Sequence, residues 1–578
     1  MGGFERGRRC RERATRTMPN SASKILSSAS EGATALVSAS LLARFLTFAS
    51  NVVVARTVGR AALGVGTLRL DEVLFLGPLL ITNTGLRKVA YRGSTAADKQ
   101  SLVNLCWLTV PFGLVLSAAI AFTLMQSPPE EARGAEEGAR YRHGIYYTLF
   151  ALVLSFLTEP MFVLSSSQML QTLRARTETS AVFMKCFVTT VLTVVIGGWG
   201  VDAFAIGNVA YAMTMMLGYS VWFFRDQPGR EGSGKEVESR VSLLPQQLPG
   251  GAKWWKPEIY SAAVIFWAQS IQKWFLENGE KVALVFLGSS QDAGEYVLVS
   301  NLGSIVARLL LQPVEEMSLA AFCKLSNLMT DDGQEGETLK KDTVAALLST
   351  IKSLVLAMTL GGSLLASFAP AYSHLLLHLL YGPTWSDSSA PLLLALYAVY
   401  VLTMSINGVA EAFVHGVEDE AGLKRYNWWT FGFSVAFLGS VAILIRFGPA
   451  GLILANIVKM LCRCTVCLFM YIKPYFRRNG VENFQLSHIF PSKYALFSFL
   501  VSFFITQLSL RFVYHDKKMV ALTLKIPERF HEIGTAVLHI FVGLFCIVLN
   551  AFVVWKCHRQ DIRWSRGPAS NDGKVKKS

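Results

Sequence analysis

The segment APLLLALYAVYVLTMSINGVAEAF, residues 390–413, decides the class of fold, because it carries a single charge, Glu411, in a long apolar run. A helix rises about 1.5 Å per residue, so roughly 20 apolar residues cross the hydrocarbon core of a bilayer. Comparable runs recur along the chain, at 102–124, 145–164, 178–199, 203–224, 344–369, 427–446, 449–472, 494–513 and 533–555. The sequence therefore predicts a protein that crosses a membrane many times.

The composition supports this prediction. The chain has 578 residues, of which 52% are hydrophobic and only 16% are charged, whereas soluble proteins carry about 25% charged residues. The two-residue alternation of a membrane β-barrel is missing, which favours a helical bundle. Four weaker runs raise the expected number of spans to fourteen: 33–55, 72–90, 259–288 and 295–316.

The net charge is +15, and the basic residues lie where membrane topology places them. No nucleic-acid partner is therefore expected. Lysine and arginine concentrate in both tails and in the loops after every second span, which places both termini in the cytoplasm. The basic loop 511–532 disagrees with this pattern. The terminal KVKKS, with Lys574 and Lys576, resembles a di-lysine retrieval signal and predicts the endoplasmic reticulum membrane.

Two segments repeat at an offset of 248 residues: GVDAFAIGNVA (200–210) and GPAGLILANIV (448–458). A repeat over an even number of spans predicts two six-helix lobes related by a pseudo-twofold axis along the membrane normal, with a C-terminal helix pair outside the repeat. The expected divisions are a disordered basic cytoplasmic tail (1–30), the first lobe (31–224), a flexible cytoplasmic linker (225–257), the second lobe (258–472), the extra helix pair (473–556) and a cytoplasmic tail (557–578).

Polar residues inside the predicted spans form stripes. In NLGSIVARLLLQPVEE (301–316), the side chains of Asn301, Ser304, Arg308, Gln312 and Glu315 fall within an arc of roughly 80°. A charge at the bilayer centre costs about 2.5–3.5 kcal/mol, so such stripes indicate a hydrated cavity between the lobes, lined by both signs of charge. The alternative for each residue is a structural ion pair or a side chain that reaches the membrane surface.

No motif of an enzyme was found: the chain lacks a phosphate-binding Gly-Lys-Ser/Thr loop, an HExxH helix and a G-x-S-x-G elbow. Cys462, Cys464 and Cys467 lie in an apolar span without a histidine nearby, which indicates packing rather than a zinc site. Neither catalysis, nor a metal, nor a cofactor is expected.

Five stretches, in order, resemble the Rft family of the endoplasmic reticulum: ARFLTFASNVVVART (43–57), VSNLGSIVARLLLQPVEE (299–316), MSINGVAEAFVHG (404–416), LKRYN (423–427) and GPAGLILANIVKMLCR (448–463). That family is similar to bacterial lipid II flippases within the multidrug, oligosaccharidyl-lipid and polysaccharide exporter superfamily. The resemblance implies fourteen helices in two lobes plus an extra pair.

The resemblance also implies a role in N-glycosylation. A family member would move dolichyl-diphosphate heptasaccharide, with five mannoses and two N-acetylglucosamines, from the cytosolic to the lumenal leaflet by alternating access. Its partners would be this lipid-linked oligosaccharide, membrane lipids and other proteins of the pathway. Cations and amides would bind diphosphate and glycan, which gives the substrate candidates Arg44, Asn51, Arg56, Arg308, Lys459 and Arg463. Gating or charge pairing would fall to Glu159, Glu280, Glu315, Glu316, Asn407 and Glu411.

Two other functions stay open from the sequence. An accessory or scaffold protein of the same pathway would use this fold without transporting anything. An ion-coupled exporter of small cations would need a cavity lined mainly by carboxylates. In this sequence, basic side chains are at least as numerous as carboxylates on the polar stripes.

Overall fold

The computed structural model describes residues 42–90, 95–168, 170–225, 242–248, 253–327, 336–515 and 531–564. Helices account for nearly all of these ranges, and no strand occurs in them. The predicted all-α membrane fold is therefore confirmed for the part of the chain that is described.

The helices of the first half are α1 (42–57), α2 (Arg60–Gly64, Val65–Leu76 and Gly77–Ala90, continuous), α3 (Ala96–Gln126), α4 (Ala135–Ser167), α5 (Gln171–Thr190, continued by Val191–Ile196), α6 (Asp202–Arg225) and α7 (Pro257–Leu287). Those of the second half are α8 (Ser290–Val306, continued by Ala307–Leu311 and Gln312–Asn327), α9 (Gly336–Tyr381), α10 (Ala390–Val417), α11 (Glu420–Leu444), α12 (Gly448–Thr465, continued by Val466–Ile472 and Lys473–Arg478), α13 (Lys493–Ser509, continued by Leu510–His515) and α14 (His531–Trp564).

Ten segments in the described ranges are long and apolar enough to cross a membrane. One of them, Glu420–Arg478, contains both α11 and α12, which are separated by a turn at Gly448 with φ of +63°. Three helices do not meet the criterion: α1, α2 and α7. The last two carry several charges, so the total of fourteen spans stays a prediction.

The chain forms two compact units, which meet in the sequence at Gly294 and Glu295. In the first unit, Leu86 and Val89 of α2 share one apolar core with Ile259 and Ala263 of α7. Helix α7 therefore packs within the first unit, although the sequence places it in the second lobe. The six-plus-six division of lobes is not tested by this packing and stays a prediction.

Glycine allows α2 and α7 to approach closely. A Cβ atom on Gly85 would lie 2.7 Å from the backbone nitrogen of Trp267 and 2.8 Å from its Cα. Small residues at helix crossings let backbones come together in membranes. A side chain at Gly85 would push the two helices apart, because a backbone cannot move aside as a side chain can.

We expect Gly85→Ala to lower the free energy of unfolding by about 1–3 kcal/mol, the usual range for overpacking. Gly361→Ala in α9 is the matched control, since no atom lies within 4 Å of the added Cβ, and alanine there should be neutral or stabilising by up to about 1 kcal/mol. Denaturant titration of the purified protein in detergent measures both values. Equal effects of the two substitutions would contradict the close crossing.

The polar ends of the first unit are held by buried hydrogen bonds. The guanidinium of Arg69, only 8% exposed, donates to the carbonyl of Ser127 at 2.7 Å and to the carbonyl of Val285 at 2.8 Å. Ser127 follows the last turn of α3, and Val285 lies in the last turn of α7, so both carbonyls lack a helical partner. Arg69 of α2 thus binds the C-terminal ends of both α3 and α7.

Candidate functional site

In the second unit, four polar side chains of two apolar helices meet around Glu411. Asn407, Glu411 and His415 are spaced by four residues on α10 and share one face of it. Arg463 approaches from α12. We call these four residues the Glu411 cluster.

The two oxygens of Glu411 have different partners. Oε1 accepts from the Arg463 guanidinium at 2.5 Å, and Oε2 accepts from the Asn407 amide at 2.9 Å. The His415 Nε2 atom is 3.9 Å from Oε1. The carboxylate is therefore compensated by a cation on another helix and fixed by an amide one turn away.

Two polar atoms of the Glu411 cluster are buried without a hydrogen-bond partner among the described residues. Asn407 is 5% exposed, and the side chains of Arg463 and Glu411 are 20% and 18% exposed. Among the described residues, the buried Arg463 Nε–H and Asn407 Oδ1 have no hydrogen-bond partner. One donor and one acceptor beside a charged pair suit a ligand that carries hydroxyl groups or anionic oxygens.

Two further candidates lie next to this cluster. A Cβ atom on Gly408 would lie 3.2 Å from Glu315 Oε2, so the Glu315 side chain of α8 rests against α10 between Asn407 and Glu411. On α12, the Lys459 ammonium lies 3.8 Å from the ring centroid of Phe437, close enough for a cation–π interaction. Lys459 precedes Arg463 by one turn, so two cations follow one face of α12.

The second unit also contains a cavity of about 480 Å³ between α8, α9, α10 and α14. Its wall includes Val306, Phe368, Leu394, Val401 and Ile547, with few polar atoms. Hydrocarbon fits such a wall, and a diphosphate does not, because the desolvated anion would find no donors there.

The first unit has a charged cluster of its own, around Phe162. Arg87 of α2 donates two hydrogen bonds to Glu159 of α4, from Nε and Nη2, each at 2.7 Å. The same guanidinium lies 4.2 Å from the Phe162 ring centroid, and that of Arg174 lies 5.2 Å from it. Arg174 in turn pairs with Glu178 at 2.8 Å. We call these five residues the Phe162 cluster; all four of its charges have opposite partners.

With both clusters described, comparisons with known proteins decide the family. The family model described as Rft protein matches residues 28–566. The chain belongs to the Rft protein family.

Relatives of this Rft protein cover most of its length. Proteins named Man(5)GlcNAc(2)-PP-dolichol translocation protein RFT1 are 27% identical in Dictyostelium discoideum, covering 93% of this chain and 96% of that one, and 30% identical in Xenopus tropicalis, covering 79% and 84%. Among solved structures, "Lipid II flippase MurJ, inward closed conformation" superposes with a TM-score of 0.56 at 12% identity, covering 91% of this chain and 99% of MurJ. The Rft protein shares its fold with that transporter and crosses the membrane many times.

The other candidates of the Rft protein are spread over several helices. In α1, Arg44 and Asn51 are half-buried and Arg56 is exposed near the end of the helix. Glu280 of α7 is half-buried, and Glu316 accepts from its own helix neighbour Gln312 at 3.1 Å. The backbone of Arg308 belongs to α8, but its side chain lies outside the described residues.

Sequence reasoning missed most of the partners of these charges. Arg87, which lies within the predicted span 72–90, is the partner of Glu159. Lys185 pairs with Asp71 at 2.6 Å, and Lys281 pairs with Glu72 at 3.0 Å. These pairs join residues more than 70 positions apart, so no local spacing reveals them.

The cysteines of α12 have packing roles. Cys464 and Cys467 are buried, and their thiols contact the Thr403 carbonyl at 3.6 Å and the Tyr426 hydroxyl at 3.7 Å. Within the described ranges, no three His, Cys, Asp or Glu side chains are grouped to hold a metal ion.

Proposed function

We propose that this Rft protein moves the dolichyl-diphosphate heptasaccharide, with five mannoses and two N-acetylglucosamines, from the cytosolic to the lumenal leaflet of the endoplasmic reticulum membrane. Its relatives carry the name of that translocation. The observation that carries the proposal on this chain is the Glu411 cluster with Lys459, which combines two cations with unused hydrogen-bonding atoms inside apolar helices.

The chemistry of the substrate fits these groups. A diphosphate presents several anionic oxygens, which guanidinium and ammonium groups bind with charge-assisted hydrogen bonds. Without substrate, Arg463 pairs with Glu411. The buried guanidinium is therefore compensated before a diphosphate binds. Sugar hydroxyls suit the spare oxygen of Asn407. The apolar cavity accepts hydrocarbon, so the isoprenoid chain stays in apolar surroundings.

We propose that translocation proceeds by alternating access of two lobes. Both termini would lie in the cytoplasm. Arg44, Asn51, Arg56 and Arg308 would supply further contacts to the substrate, while Glu159, Glu280, Glu315 and Glu316 would pair with cations or gate the passage. No covalent step is involved, so the proposed activity is transport rather than catalysis. Other proteins of the N-glycosylation pathway are the expected neighbours.

The test is translocation by the purified protein in liposomes, with a fluorescent lipid-linked oligosaccharide. We expect Lys459→Gln to slow translocation about tenfold, because a charge-assisted hydrogen bond contributes about 1.5–3 kcal/mol. Lys424→Gln is the matched control, since Lys424 pairs with Glu420 at a surface where their side chains are 72% and 85% exposed. Its rate should stay at that of the unmodified protein.

The same assay separates the alternatives. Translocation above that of protein-free vesicles supports the proposal. Binding of the lipid without movement would instead assign the protein an accessory role. Equal rates for Lys459→Gln and Lys424→Gln would remove Lys459 from the substrate path.

A further inference from the structure

A short segment before α7 lies along the start of α3. We call residues 242–248 and 253–256 the strap; the Leu248 N–H donates to the Lys253 carbonyl at 2.9 Å and closes its two parts on each other. The strap leads directly into Pro257, the first residue of α7. Both helices and the strap belong to the first compact unit.

Two buried amides of α3 bind the strap through its main chain. Asn104 accepts from the Gln246 N–H at 3.0 Å and donates to the Gln246 carbonyl at 2.7 Å. Gln100 accepts from the Ser242 N–H at 2.9 Å and donates to the Leu244 carbonyl at 3.2 Å. Each amide thus uses its donor and its acceptor together, as a neighbouring β-strand would.

Three more bonds extend this pattern along α3. The Trp107 indole donates to the Leu243 carbonyl at 2.6 Å, and Asn104 also donates to the Trp254 carbonyl at 2.5 Å. Ser101 accepts from the Lys256 N–H at 3.2 Å. Every one of these bonds ends on a main-chain atom of the strap.

The side chains of the strap contribute little to this contact. Leu244 is 62% exposed and Trp254 is 44% exposed, whereas Gln100 and Asn104 are 6% and 5% exposed. The surface of α3 therefore binds the strap mainly through main-chain atoms, as a sheet edge binds an added strand. One ionic contact reinforces it, between Lys256 and Asp98 at 2.6 Å.

We propose that Gln100, Asn104 and Trp107 form a releasable clamp, which reads the backbone of the strap and thereby restrains the first turns of α7. The strap is held mainly by hydrogen bonds and has no fully buried apolar side chain among its described residues, so the clamp opens without unfolding the core of the unit. The far end of α7 is held separately, by the bond from Arg69 to the Val285 carbonyl. Opening the clamp therefore removes the restraint of the strap from the first turns of α7, where Ile259 and Ala263 still pack against α2, and it leaves the other end in place.

Hydrogen exchange of the full-length protein in detergent tests the clamp. Asn104→Ala removes three hydrogen bonds to the strap, and we expect the hydrogen-bonded amides of 242–248 and 253–256 to exchange at least tenfold faster. Amides of the first turns of α7, from Tyr260 to Ala263, should exchange at least threefold faster. Amides near Val285, and those of α13, should keep their rates, which shows that the protein remains folded.

A pair of substitutions at one position shows whether the backbone is what α3 recognises. Gln246→Pro deletes the N–H that donates to Asn104, one of the three bonds lost in Asn104→Ala, so exchange should be faster than in the unmodified protein and slower than in Asn104→Ala. Gln246→Ala keeps that N–H and should exchange like the unmodified protein.

Three outcomes would overturn the proposal: unchanged exchange of the strap in Asn104→Ala, equal exchange in the two Gln246 variants, or faster exchange of the strap with no change at Tyr260–Ala263. None of these measurements depends on translocation. The clamp and the proposed function can therefore fail separately.

Discussion

Replacing Arg87 with alanine is expected to lower the free energy of unfolding by about 3 kcal/mol. Glu159 would remain in place, with its side chain 3% exposed, and a buried carboxylate without a cation is costly. Breaking a buried ion pair costs about 3–5 kcal/mol, and we expect the lower value here because the Arg87 side chain is 33% exposed. Denaturant titration in detergent measures the change.

Two further variants identify the cause. Arg87→Lys keeps the charge but loses the two-pronged geometry, so it should cost about 1–2 kcal/mol. The double variant Arg87→Leu/Glu159→Leu should lie within about 1 kcal/mol of the unmodified protein, because replacing both members of a buried pair removes the desolvation cost together with the attraction. A double variant as unstable as Arg87→Ala would contradict this account.

Replacing Arg463 with alanine is expected to lower both stability and translocation. The loss of its bond to Glu411 should cost about 3 kcal/mol, since the two side chains are 20% and 18% exposed. Translocation should fall at least tenfold beyond the loss of folded protein, because the cation that follows Lys459 on α12 is gone. Unfolding in detergent and the liposome assay, normalised to folded protein, measure the two effects.

Exchanging the two charges separates a structural pair from a substrate site. In Arg463→Glu/Glu411→Arg the attraction between α10 and α12 is kept, so most of the stability should return. Translocation should stay low, because the cation no longer lies on the face of α12 that carries Lys459. If translocation returned with stability, the pair would be a structural lock, and the diphosphate would be bound elsewhere.

The apolar helices could be predicted from the sequence because each of them is a continuous run of apolar residues. Such a run is a local property of the chain. Helix α2 shows where this reading fails. Its span was predicted as 72–90, but the helix begins at Arg60. Arg69, Asp71 and Glu72 make the first half look unsuited to a membrane, and each of them is compensated by a residue far along the chain.

The candidate site was readable only in part, for the same reason. Spacing by four is enough to place Asn407, Glu411 and His415 on one face of α10, but it does not say which cation meets them. The linker is a similar case: its composition predicts flexibility, yet the part that is described is bound by Gln100 and Asn104. Side-chain amides that bind a backbone leave no periodic signal.

The pair of Glu72 and Lys281 has a consequence for biosynthesis. These residues are separated by 209 positions, and ribosomes add about 5–20 residues per second. Glu72 therefore emerges roughly 10–40 seconds before its lysine exists. During that interval Glu72 of α2 lacks the cation that compensates it in the finished protein, so we expect α2 to be less stable until α7 is made. The order of synthesis thus makes α7 the helix that completes the first half of the protein.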